Sequence, residues 1–305
     1  MKTFLCVDMS NLLYRVFSIE QESTDAVTLA GLSSHRAFMT LHKYFKKFKP
    51  DKMVLVFDRK SWRKYYTEDP ELCYSGKIYK GHRRQNFTEA QKERYAKFVN
   101  HIEEFEKLVK DYSSMVCLSA DLLEADDIVG GLAEKYHKDH NIFILSADKD
   151  FIQLLRYDNV KLINPDKDEE RTLEEWDNDA DYFMFEKKFR GDIGDSVQSA
   201  YPRLRSTKIK QAYTDSYLLT NLLNETWTNQ DKKEFIVGKL FEENELLMDL
   251  RKQPPEIREL IFSTIEDGFN NTGKYSHFHI LKYLGKNQMN KLAESISQFV
   301  TMLNS

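Results

Sequence analysis

Five short apolar runs alternate with longer amphipathic stretches through the first half of the chain. Residues 4–8, Phe-Leu-Cys-Val-Asp, read as a buried parallel strand, an apolar run with a polar stop. Ser10 or Asn11 stands where it can cap a helix running to about Ser18. Leu32, Phe38, Leu41, Phe45 and Phe48 recur near helical spacing over 31–48, with Lys43, Lys46 and Lys47 between them, until Pro50 ends the pattern. Residues 53–57 form a second strand that stops at Asp58. The stretch 59–84 then breaks the rhythm and reads as a mobile loop or an irregular helical arch. A long helix covers 88–111, with Thr88 and Gln91 as a capping box and a stripe of Tyr95, Phe98, Ile102, Phe105, Leu108 and Val109. A third strand at 115–118 leads to a helix from about Leu122 to Tyr136. A fourth strand at 142–145, a short helix to about Leu155 and a fifth strand at 160–163 follow. From about residue 178 the pattern is helical to the end, with a turn at Gly191–Asp195, a break at Pro254-Pro255 and a last helix over 287–303. The expected fold is α/β: a central, mostly parallel sheet with helices on both faces, then an all-helical C-terminal region. The expected division is 1–175 and 176–305.

Acidic residues recur where the strands end. Asp8, Asp58 and Asp148 close or follow three of them, and Asp150 lies two residues beyond Asp148. Ligands of such sheets bind beyond the carboxyl ends of the strands, so these acids gather at one edge. The third strand leads there into Glu124-Ala125-Asp126-Asp127. Alone, that stretch has a bland reading: Asp121 caps a helix, Glu124 completes a capping box, and the two aspartates complement the helix dipole. Four strands delivering acids to one edge is a different observation. Carboxylates packed together repel unless a cation lies between them, and oxygen donors suit hard cations. Two such ions about 4 Å apart activate a water and stabilise a leaving oxygen in phosphodiester hydrolysis.

Charge sharpens this reading. The 305 residues carry a net charge of −4, yet Arg59, Lys60, Arg63, Lys64, Lys77, Lys80, Arg83 and Arg84 cluster in 59–84 against only Glu68, Asp69 and Glu71. Trp62, Tyr65, Tyr66, Tyr74 and Tyr79 lie among them. Bases interleaved with aromatics offer phosphate contacts and stacking surfaces for single-stranded nucleic acid, where a solvated basic loop is the plain alternative. Charged residues at 31% and aromatics at 13% suit a soluble globular chain. The chain has no run of about 18 apolar residues, so no membrane segment is expected. Cys6, Cys73 and Cys117 show no metal spacing, and Cys6 and Cys117 are expected as buried thiols in a reducing compartment.

Val7-Asp8-Met9-Ser10-Asn11, Phe57-Asp58, Glu124-Ala125-Asp126-Asp127, Ser146-Ala147-Asp148-Lys149-Asp150 and the Gly191-Asp192/Asp195 turn occur in the order of the 5′ nucleases. Over residues 4–200 the chain resembles this superfamily of flap endonucleases and 5′→3′ exonucleases, and within it the ribonuclease H branch of T-even bacteriophages. The resemblance implies a PIN/5′-nuclease-like fold with a helical arch at 59–84. It implies one metal site from Asp8, Asp58, Glu124 and Asp126, with Asp127 close by, and a second from Asp148, Asp150, Asp192 and Asp195. Two Mg²⁺ ions, replaceable by Mn²⁺, would fill them. Lys80 would contact the scissile phosphate, Arg63 and Arg83 would steer the 5′ strand, and Tyr79 would stack on a base. Lys80, Arg63 and Asp126 are thus the expected catalytic residues, and Arg59, Lys64 and Arg84 belong to the same nucleic-acid surface.

Two departures matter. His82 stands where the family has Asn, and the stretch after Asp195 lacks the glycine-rich hairpin that binds duplex and potassium in cellular members. Arg203, Arg205, Lys208 and Lys210 are the expected phosphate contacts in its place. The implied activity is removal of RNA primers and 5′ flaps in replication, on DNA and RNA–DNA hybrids with free 5′ ends. The implied setting is a monomer in the cytoplasm of the bacterial host. A single-stranded-DNA-binding protein and a sliding clamp are the implied partners, with the C-terminus left to reach the clamp. The rival expectations are a PIN-type single-strand ribonuclease and a non-catalytic branched-DNA binder.

Overall fold

In the computed structural model, which describes residues 1–19, 25–83 and 85–305, the sheet has the order β3-β2-β1-β4-β5-β6. Its strands are β1 (Lys2–Asp8), β2 (Lys52–Val56), β3 (Val116–Leu118), β4 (His140–Leu145), β5 (Val160–Asn164) and β6 (Glu169–Glu170). All pairings are parallel except β5 with β6. The chain reverses its winding between β1 and β4, which pair from Lys2↔His140 to Val7↔Leu145. A crevice opens at that switch point beyond the strand ends.

Alternate residues of β1 enter opposite cores. Phe4 and Cys6 join Val54 and Val56 on one face; Leu5 and Val7 join Met53 and Leu55 on the other. Helices α1 (Met9–Ile19), α2 (Ala26–Phe48) and α4 (Glu89–Tyr112) cover the second face. Helix α5 (Ala125–Tyr136) covers the first, beneath α10 (Pro255–Asn270). That contact needs glycine: a Cβ on Gly131 would meet Ile261 Cγ2 at 2.3 Å.

Helix starts differ from expectation at two places. Helix α1 takes its N-terminal acceptor from Asp8, whose Oδ1 receives the Asn11 N–H at 2.9 Å; the Ser10 hydroxyl instead accepts the Asp58 N–H. Helix α5 begins at Ala125, not Leu122, with Asp127 accepting the Glu124 N–H at 3.0 Å, so Asp121 and Glu124 do not form the capping box. The Thr88–Gln91 box on α4 is present.

The expected boundary after residue 175 does not follow the packing. Helices α6 (Ala180–Arg190), α7 (Ser206–Thr214), α8 (Ser216–Asn224) and α9 (Val237–Met248) share a small core of Tyr182, Phe189, Ile209, Leu222 and Leu240. Helix α10 instead belongs to the α/β core, as do α11 (His277–Lys286), α12 (Asn290–Glu294) and α13 (Val300–Leu303). The last expected helix is broken, because Ser295 turns its hydroxyl onto the Lys291 carbonyl and a 3₁₀ turn separates α12 from α13. Phe299, Met302 and Leu303 are buried in the α/β core. The C-terminal half also holds a hairpin, β7 (Thr226–Thr228) with β8 (Glu234–Ile236), built from β-favouring residues around a turn with Lys232 at φ +64°.

The described residues of the segment 59–84, residues 59–83, are docked. They contain α3 (Trp62–Glu68), and Trp62, Arg63, Thr67, Cys73 and Tyr79 are buried. All three cysteines are unbridged; Cys6 and Cys73 are buried and Cys117 is half-buried. Among the described residues, no helix is long and apolar enough to cross a membrane.

Candidate metal centre

Most of the acids reach the crevice from a strand end or helix start, and Asp195 from a turn. Asp8, at the end of β1, is 6% exposed and also accepts the Ser146 hydroxyl at 3.1 Å. Asp58 follows β2 and accepts the Ala125 N–H at 2.7 Å, which fixes the start of α5 against it. Asp148 accepts the Asp150 N–H at 2.9 Å. Gly191 makes the turn that carries Asp192 and Asp195: at φ +66° a Cβ there would meet the Val197 carbonyl at 2.5 Å. These elements enclose a cleft of about 1150 Å³ lined by Asp8, Asp58, Glu124, Asp126, Asp148, Asp150 and Asp195.

Two of the nine expected ligands stand apart. Asp127 comes close, with one of its oxygens within 4.8 Å of oxygens on Glu124 and Asp126. Both its oxygens are already engaged, however. Arg63 spans them at 2.8 and 2.9 Å, Gln253 donates to one at 2.9 Å, and the Glu124 N–H donates to the other. Asp127 is therefore a structural anion with no exposed surface. Asp192 does not line the cleft; its carboxylate lies 3.5 Å from the Lys187 ammonium, which also bonds Asp150.

The cations divide as well. Lys80, at φ +53°, reaches in to bond Glu124 and lies 3.6 Å from Asp195, whose carbonyl accepts the Lys80 N–H at 2.7 Å. Arg83 bonds Asp195 at 2.5 Å and the Gly194 carbonyl at 3.2 Å. Arg63 does not fit its expected role of steering a strand: its guanidinium is 1% exposed and is spent on Asp127 and the Leu247 carbonyl. Tyr79 does not fit base stacking, because its ring is buried and its single hydroxyl proton is shared between Glu124 at 3.0 Å and Asp195 at 2.8 Å. Arg59 lines the cleft but is clamped by Glu106 and Ser119. Lys64 lines it with its ammonium 4.0 Å from Glu68, and His82 bonds the Ser196 hydroxyl at 2.5 Å. Arg203 and Arg205 are exposed and Lys208 half-buried away from the cleft, while Lys210 pairs with Asp177 at 2.5 Å. Arg84 lies outside the described residues.

Crowding shows in the protonation balance. Burial, then the charges of Asp58 and Asp148, push the Asp8 carboxyl well up. Burial and the neighbouring Asp127 do the same to Asp126, against the pull of Arg63. Desolvation and the charge of Glu124 push Asp58 up, against the pull of Lys80 and the Ala125 N–H. Desolvation and Asp150 push Asp148 up to about 6. Glu124 is desolvated too, yet Lys80 and Arg63 hold it below the usual range. An all-oxygen donor set whose members resist joint ionisation fits a hard divalent cation with its waters.

Sequence reasoning missed Lys187 and Gln253. Lys187 had a faint signal, since it lies one helical turn before Gly191-Asp192; Gln253 had none.

The model of the 5′-3′ exonuclease N-terminal, resolvase-like domain matches residues 3–188. Ribonuclease H of Enterobacteria phage T4 is 26% identical over 200 residues, 63% of this chain and 63% of the relative. The 5′-3′ exonuclease of Aquifex aeolicus is 30% identical over 184 residues, 57% of this chain and 55% of the relative. The chain thus spans about three fifths of the length of the curated relatives it matches. Among solved structures, the bacteriophage T5 flap endonuclease in a complex with DNA and metal ions aligns at a TM-score of 0.65 and 17% identity, covering 88% of this chain and all of that one. The T5 5′-exonuclease with bound zinc aligns at 0.65 and 18%, with the same coverage. At these identities the two support the fold.

Proposed function

The chain belongs to the 5′-3′ exonuclease family defined by its N-terminal, resolvase-like domain, and from that premise we propose that it is a metal-dependent hydrolase of phosphodiester bonds. We assign it 5′→3′ exonuclease, flap endonuclease and ribonuclease H activity on DNA and RNA–DNA hybrids with free 5′ ends. Its task is removal of RNA primers and 5′ flaps during phage replication in the host cytoplasm, as a monomer. A single-stranded-DNA-binding protein and a sliding clamp are the fitting partners. The observation that carries this reading is the cleft at the sheet's switch point, where seven carboxylates meet Lys80 and Arg83.

Asp8, Asp58, Glu124 and Asp126 would hold one Mg²⁺, or Mn²⁺ in its place; Asp148, Asp150 and Asp195 would hold the other, with Asp192 set behind them by Lys187. The chemistry such ions supply is activation of a water and stabilisation of the leaving oxygen. Lys80 and Arg83 neutralise a phosphate brought to the carboxylates and orient it. Their present partners, Glu124 and Asp195, hold both cations at that edge beforehand. Arg203, Arg205 and Lys208 lie outside the cleft, where they can take phosphates of the duplex behind the cut.

The test is cleavage of a 5′-labelled RNA-primed duplex in Mg²⁺ by the parent and by Asp126→Asn. Short 5′ products from the parent, lost in the variant with substrate binding retained, are expected. Binding of branched DNA by both proteins with no cleavage by either would replace the proposal with a binding protein.

A further inference from the structure

Helix α9 grips the arch and the Asp192–Asp195 turn within a single turn of helix. Glu243 is 5% exposed, and its carboxylate collects two backbone amides of the arch: Tyr74 N–H at 2.5 Å and Ser75 N–H at 3.2 Å to each oxygen. The next residue, Asn244, is fully buried and donates to the Lys188 and Gln198 carbonyls, both at 2.8 Å, on either side of the turn bearing Asp192 and Asp195. One turn on, the Leu247 carbonyl accepts Arg63 Nε at 2.6 Å.

The hairpin completes the grip. The Ile236 N–H donates to the Tyr74 hydroxyl at 2.9 Å, Lys233 Nζ reaches the Tyr74 and Ser75 carbonyls at 3.3 and 3.4 Å, and the Tyr74 ring meets Phe235 edge-on at 5.9 Å. Five residues beyond Ser75, Lys80 bonds Glu124 and hangs on the Asp195 carbonyl. A carboxylate that accepts several backbone amides forms strong, direction-specific bonds. Burying a carboxylate is costly, and the bonds from these amides offset that cost.

We infer that Glu243 is a positioning residue: by pinning Tyr74 and Ser75 to α9 it sets Lys80 against the carboxylate cleft. Glu243 touches neither cleft nor substrate, and the inference rests on the nuclease reading above. Glu243→Ala removes both acceptors; Glu243→Gln keeps one carbonyl oxygen for the two amides.

Three readouts test it together. Hydrogen exchange at Tyr74 and Ser75 should accelerate about tenfold or more in Glu243→Ala and far less in Glu243→Gln. In cleavage of the 5′-labelled duplex, kcat should fall about ten- to a hundredfold in Glu243→Ala, the scale of an ångström-sized misplacement of a catalytic group. Glu243→Gln should restore most of it, with Mn²⁺ affinity and far-ultraviolet dichroism unchanged. In a Lys80→Ala background the Glu243→Ala loss should shrink to less than about threefold, because the two changes remove one contribution. Parent-level kcat in a Glu243→Ala protein whose amides exchange faster overturns the inference. An undiminished loss in the Lys80→Ala background overturns it also. A parent that does not cut overturns the nuclease reading itself.

Discussion

Arg63 is where a substrate-contacting role and a structural role predict opposite results. Its guanidinium and the Asp127 carboxylate are 1% and 0% exposed as side chains and meet through two parallel bonds. Arg63→Met leaves the Asp127 charge buried with only Gln253 and the Glu124 N–H to serve it, and strips the Leu247 carbonyl of its donor. Removing one partner of a buried pair costs about 3–5 kcal/mol. At about 2.1 cal/mol/K per residue, a chain of 305 residues loses about 1.6 °C of Tm per kcal/mol, so the expected fall is about 5–8 °C.

Neutralising the orphaned partner should then help. Asp127→Asn in the Arg63→Met background keeps an oxygen for the Glu124 N–H and removes the stranded charge, so the double variant should melt above Arg63→Met. Scanning calorimetry gives the four melting temperatures of the cycle. Fluorescence anisotropy on a 5′-flap duplex, in calcium to block cleavage, gives the affinities. An Arg63→Met protein with parental Tm and weakened flap binding would refute the reasoning and return Arg63 to the substrate.

Three further outcomes follow. Asp126→Asn in metal-free buffer should raise Tm at pH 8, since a carboxyl whose folded pKa is raised favours the fold at low pH and loses that contribution as pH rises through the folded value; the gain should shrink toward pH 5, and a Tm decrease at pH 8 would count against the crowding. His101, 5% exposed between α2 and α4 and bonded to Ser34 at 3.1 Å, is driven by burial down to about 4, so it favours the fold fully above about pH 6.5 and loses about 3 kcal/mol as pH falls toward 4; His101→Gln should flatten that part of the Tm–pH curve. Gly131→Ala should cost about 1–3 kcal/mol by pressing α10 off α5, and pairing it with Ile261→Ala should cost less than the two separately, read by denaturant midpoint.

What the sequence made legible, and what it hid, follows from where each interaction is encoded. The five parallel strands stood out because strands buried on both faces are continuous apolar runs, and the edge where they deliver acids follows from topology alone. Asp8, Asp58 and Asp148 could be placed together before any distance was known, since backbone direction puts them there. The arch could not be read this way. A run such as Trp62-Arg63-Lys64 has one appearance whether it waves in solvent or is buried, and its state is decided by Asp127, 64 residues on, and by Leu247, 184 residues on. Tyr79 is fixed by Glu124 and Asp195, and Tyr74 by Glu243, 169 residues away. Asp127 shows the same limit from the other side. Glu124 and Asp126 just before it line the cleft, yet the helical advance of about 100° per residue turns its carboxylate inward to Arg63. Asp192 is likewise turned to Lys187 while Asp195, three residues on, faces the cleft. Motif spacing therefore gathered nine acids but overcounted those that face the cleft. Orientation divides the nine: seven carboxylates line the cleft, while Asp127 turns to Arg63 and Asp192 to Lys187.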